Sequence, residues 1–207
     1  VASYPKAAGR SDCAGATCTY TEEMTNFANW WTYYQTRMQG MKTAASLAFK
    51  PIDTRYRVGF ITIANQSSHY LPISLFNTAQ KTSWYTMLFG INPSTSTPLR
   101  SALTIVGRIY AGKNPVTGFS SDPMQYSCQQ NFALLTTDGY WNTDSDSDVK
   151  NIAGSGSVGN MDGGTTAPPM YEGGTASSNT LADAAKYYYD TDLRNGAPLS
   201  ATCTGDR

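Results

Sequence analysis

Charge is scarce in this sequence. Asp, Glu, Lys and Arg make up only 14% of its 207 residues, and the formal net charge is zero. Binding to phosphate backbones needs a basic face, so this balance argues against a nucleic-acid partner. Histidine is nearly missing, with His69 the single copy, and none of the four cysteines forms a C-x-x-C pair. A zinc site is thereby excluded in its ordinary forms. No apolar run approaches the ~18 residues of a membrane span. There is no phosphate loop, no dinucleotide fingerprint and no G-x-S-x-G elbow. Val1-Ala-Ser-Tyr-Pro-Lys6 is neither a signal peptide nor a start, which predicts a processed or excised piece of something larger.

What remains is rich in tyrosine, glycine and small hydroxyl residues, a composition suited to a secreted or cell-surface protein. The length predicts a single domain over 1–207 with its own core. Cys13, Cys18, Cys128 and Cys203 permit three pairings. The loop-rich composition favours disulfides, with Cys13–Cys18 as a local loop and Cys128–Cys203 as a tie to the C-terminal tail.

Thr19-Tyr-Thr-Glu22 has capping-box spacing and predicts a long helix to about Phe49. Its rings and methionines (Phe27, Trp30, Trp31, Tyr34, Met38, Met41) recur at helical spacing, which predicts core packing. Arg57–Ala64 reads as a strand and 71–76 as an edge strand demoted by Pro72. Helices are predicted over 80–89, beyond Pro98 with Thr97 as N-cap, and over 180–193. Phe132–Thr137 is a short apolar run closed by Asp138-Gly139, which predicts a buried strand ending in a turn. Residues 142–179 form a loop-rich insertion. This order predicts an α/β fold with a mainly parallel sheet flanked by helices.

In such sheets ligands sit beyond the carboxyl ends of the strands. Thr97 and Asp138 both fall there, and a hydroxyl and a carboxylate suit a hard cation such as Mg²⁺ or Ca²⁺. Asp144, Asp146 and Asp148 alternate as in calcium loops, but Val149 and Ser155 stand where an EF-hand needs glycine and glutamate. Gly159-Asn-Met-Asp-Gly163 reads as a tight turn with Asp162 bonding its own backbone. Ser67-Ser68-His69 offers a serine beside a histidine, yet a nucleophile normally takes its base from a distant part of the chain. An extracellular hydrolase is thus the weakest reading.

Ile61-Thr-Ile63, Thr97-Pro-Leu-Arg-Ser-Ala-Leu103 and Leu134-Leu-Thr-Thr-Asp-Gly139 resemble successive landmarks of a von Willebrand factor type A domain. Asn29–Met38, Tyr56–Phe60, Asp122–Phe132, Thr137–Asn142, Gly159–Gly163, Asn179–Asp183 and Tyr187–Arg194 resemble, in order, the N-terminal part of the type IV pilus tip-associated adhesin and biogenesis factors of the PilY/PilC type. The resemblance implies a von Willebrand factor A-like, Rossmann-type sheet, here without its first and last strands. It implies metal ligands at Thr97 and Asp138, while the Asp-x-Ser-x-Ser element of such sites is absent. It further implies a non-enzymatic protein at the pilus tip on the bacterial surface. There it would support pilus biogenesis, adhesion, twitching motility and surface sensing, with minor pilins, pilus tip proteins or a host-cell or surface ligand as partners. A metal-free scaffold docking on minor pilins is the alternative.

Overall fold

The computed structural model describes residues 3–93, 96–126, 129–162 and 177–194. They fall into two compact units, Val1–Asp53 with Leu88–Pro93, and Thr54–Met87 with Ser94–Arg207.

In the first unit, strands β1 (Ser3–Pro5) and β2 (Thr17–Thr19) pair antiparallel where the sequence suggested a loop. The Cys13–Cys18 disulfide forms as expected. The Cys128–Cys203 pairing lies outside the described residues. Lys6 Nζ donates to the Cys13 carbonyl at 2.8 Å, and Arg10 donates to both Asp12 and Glu23. The capping box at Thr19 and Glu22 opens α1 (Tyr20–Tyr34).

One long helix to Phe49 does not form. A second capping box, Thr36 with Gln39, breaks it and starts α2 (Arg37–Phe49). The physical reason is a competition for backbone groups: Gln39 caps Thr36 through Oε1 and donates Nε2 to the Thr32 carbonyl that α1 leaves exposed. The core reading of the rings also fails, since α1 contains no buried residue.

The second unit holds β3 (Arg57–Ile61) and β4 (Tyr70–Leu75), antiparallel, with an irregularity between Val58 and Phe60. Helix α3 (Thr78–Gly90) begins there, and its Trp84 meets Phe60 and Phe76 edge-on at 5.8 and 6.2 Å. Helix α4 (Leu99–Tyr110) packs against α5 (Leu181–Asp190), whose N-cap Thr180 forms a capping box with Asp183. Gly107 permits that approach, because a Cβ there would lie 2.2 Å from the Tyr188 ring. Val149, Val158 and Ala184 form the buried centre beside them, with Leu103, Met161, Tyr187 and Tyr188 around it. Part of the loop-rich 142–179 stretch therefore builds core.

Both sheets are two-stranded and antiparallel, and no parallel pair occurs among the described residues. Phe132–Thr137 is not a strand, and Phe132 and Leu134 are each 79% exposed. A buried strand needs neighbours on both edges for its N–H and C=O groups, and no described strand pairs with this run. No described helix is long and apolar enough to cross a membrane.

Candidate functional site

The site is built around the first turn of α4. Pro98 opens this helix without a side-chain cap, so Thr97 does not cap it as the sequence suggested. The cap comes instead from Asp144, 44 residues away. Its Oδ2 accepts the backbone N–H of Arg100 at 2.9 Å and of Ser101 at 3.2 Å. A carboxylate at this end also complements the helix dipole.

Arg100 is the hub. Its Nε donates to Asp144 Oδ1 at 2.9 Å, Nη2 to the Asp144 carbonyl at 3.0 Å, and Nη1 to Asp146 Oδ1 at 2.8 Å and the Asn179 carbonyl at 3.1 Å. The Trp141 ring covers the guanidinium at 4.2 Å. The Arg100 and Asp144 side chains are 8% and 1% exposed, so this is a buried, multiply bonded ion pair. Burial disfavours the Arg100 charge, but the bonds to Asp144 and Asp146 outweigh that and raise its pKa.

Thr97 is locked through its backbone. Its N–H donates to Asn142 Oδ1 at 2.8 Å, and its carbonyl accepts the Asn142 N–H at 3.0 Å. Ser96 and Thr143 hydroxyls meet at 2.7 Å. The Thr97 loop and the segment following Asp138 are thus fastened together, leaving the Thr97 hydroxyl without a hydrogen bond among the described residues. Asp138 itself is exposed, four residues before Asn142. Gly139 makes the turn after it at φ +98°, and its N–H donates to Thr137 Oγ1 at 3.2 Å.

Asp144, Asp146 and Asp148 are engaged by protein donors. Asp148 accepts the Ser145 N–H at 2.8 Å and its hydroxyl at 2.7 Å, which hold its pKa below the usual carboxylate range. Asp144, Asp146 and Asp148 therefore serve a helix start, an arginine and a 3₁₀ turn (Asp146–Asp148). Among the described residues the one group of three potential metal ligands is Cys13, Cys18 and Glu23, where the sulfurs are already joined in a disulfide. A cation at Thr97 and Asp138 would draw two oxygens from these residues, an incomplete shell for Mg²⁺ or Ca²⁺.

Two remaining motifs also resolve. The turn at 159–162 is made by Asn160, whose Oδ1 accepts the Asp162 N–H at 2.9 Å. The Asp162 carboxylate is buried and accepts no hydrogen bond among the described residues, and the backbone that follows it in the expected turn lies outside them. Ser67 and Ser68 lie in a 3₁₀ turn (Gln66–Ser68), and Ser67 Oγ accepts the Thr117 N–H at 3.1 Å.

Sequence reasoning missed Arg100, Asn142 and Trp141. A signal existed for the first: a cation in the first turn of a helix opposes the dipole and calls for an acid partner.

The chain is 32% identical over 193 residues to the type IV pilus biogenesis factor PilY1 of Pseudomonas aeruginosa strain PAK, covering 82% of this chain and 16% of the relative. It is equally identical over 203 residues to PilY1 of strain PAO1, covering 84% and 16%, and over 190 residues to that of strain UCBPP-PA14, covering 84% and 15%. It thus spans about a sixth of the length of these relatives. No family model and no solved structure matches it.

Proposed function

We propose that this chain is a segment of a type IV pilus biogenesis factor, acting at the cell surface by binding rather than by catalysis. The observation that carries the reading is the 32% identity to three such factors over four-fifths of the chain. Under this reading the segment works in pilus assembly, adhesion, twitching motility and surface sensing, with minor pilins, tip proteins or a surface ligand as partners.

The fold under this proposal is a von Willebrand factor A-like sheet completed by strands outside the described residues. Two observations support it. A two-stranded sheet such as β3–β4 is marginal alone and leaves outer edges open. The apolar run Phe132–Thr137 pairs with no strand among the described residues. A strand inserted between them would satisfy both.

Thr97 and Asp138 would then contribute to a Mg²⁺ or Ca²⁺ site. The metal would supply a coordination position for an acidic group on the partner, a bridge between the two proteins. Arg100 and Asp144 would keep the Thr97 loop in register beneath it. The alternative, a metal-free scaffold, is favoured by the engagement of Asp144, Asp146 and Asp148 with protein donors. Asp138→Ala separates the two. The metal bridge predicts lost partner binding with unchanged melting, and an equal loss in wild type on adding EDTA. Retained binding in excess EDTA contradicts it and leaves the scaffold.

A further inference from the structure

The exposed aromatic face of α1 has a regular geometry. Tyr20, Met24, Phe27, Trp31 and Tyr34 follow one another at spacings of four, three, four and three residues. At 100° per residue these positions stay within about 80° of arc, the 3-4 repeat of a coiled-coil seam. Trp30 flanks the stripe. All six side chains are between 43% and 56% exposed. Three of the rings touch one another, Phe27 lying 5.9 Å from both Trp30 and Trp31. From Met24 to Thr36 the sequence carries no charge.

An isolated helix of 15 residues is marginal in water and takes its stability from packing one face. α1 has no buried residue, so its face calls for a partner. We infer that α1 pairs with α1 of a second copy of this chain, as an isologous helix–helix interface. The seam is self-complementary: apolar rings and a methionine meet the same set on the opposing helix, and the one acid at its edge, Glu23 beside Trp30, is paired with Arg10 at 2.7 Å. The area agrees. Large side chains carry about 200 Å² each, so burying half of six gives roughly 600 Å² per copy and about 1,200 Å² in total, the lower limit of specific interfaces. That size suits a reversible dimer rather than an obligate one. It suits a device that tightens when copies are held together at one surface.

Sedimentation equilibrium of the disulfide-intact 207-residue chain, from about 1 to 200 µM, tests this. A monomer–dimer equilibrium is expected. Trp31→Glu should weaken it at least ~100-fold by burying an unpaired charge in the seam, with the circular dichroism of the free chain unchanged. Phe132→Ser with Leu134→Ser, which alters the other exposed apolar run, should leave it intact. A wild-type monomer throughout the range overturns the inference without recourse to any variant. So does a dimer indifferent to Trp31→Glu, or one abolished by the Phe132 and Leu134 changes.

Discussion

The residue that organises the candidate site is Arg100. Its charge is buried, and five hydrogen bonds from its side chain and backbone N–H reach Asp144, Asp146 and Asn179. Removing one partner of such a pair leaves the other charge buried and unmatched, which costs several kcal/mol. Asp144→Ala is therefore expected to lower unfolding stability by about 3 kcal/mol in urea titration. Asp146→Ala, at an exposed carboxylate, should change it by less than about 1 kcal/mol. Equal effects at both positions would contradict the assignment of Asp144 as helix cap. The sequence displayed these acids as an alternating run that lacks the glycine and glutamate of a calcium loop. It could not show that Asp144 and Arg100 meet, because 44 residues separate them and no local spacing encodes that distance. The Asp138-Gly139 turn was legible, since Gly139 supplies the positive φ the turn requires.

At the scale of elements, local signals carried furthest where caps were written in the chain. Thr19 with Glu22 opens α1 as its spacing suggested, whereas at α4 Pro98 takes the cap position expected of Thr97. The break at Thr36 was equally local, but the unbroken run of rings masked it: helical periodicity continues through a point where Thr36 and Gln39 satisfy the backbone differently. Periodicity also cannot say what a face packs against, so the α1 rings read as core and stand exposed. The N-terminal cap makes a pH prediction. Glu22 accepts the Ala14 N–H, the Thr19 N–H and the Thr19 hydroxyl, which hold its pKa below the usual value, the Ala14 bond foremost. Because the folded-state pKa is lower than the unfolded one, this stabilisation is complete above about pH 4.3 and is lost as pH falls through the folded value. Protection of the Ala14 and Thr19 amides, measured against their intrinsic exchange rates, should fall below about pH 4, and Glu22→Gln should remove most of that pH dependence. Protection that stays constant to about pH 2.5 in wild type would contradict the cap.

At the scale of the molecule, the described β-strands form two two-stranded sheets. The second unit has a well-packed helical part around Val149, Val158 and Ala184, beside a two-stranded sheet and an unpaired apolar run. Sequence periodicity identified Phe132–Thr137 as strand-like but not its partners, since pairing is a property of the assembled sheet. The chain spans about a sixth of the length of the relatives it matches, and the proposed sheet would take its further strands from outside the described residues. The central claim is that the segment serves type IV pilus biogenesis. The most direct test is to delete these residues in frame from the gene of the longer protein in its own host, confirm that the shortened protein still reaches the cell surface, and count surface pili by electron microscopy. The account predicts loss of surface pili, restored when the intact gene is returned. Unchanged piliation, with the shortened protein present at the surface, would contradict it.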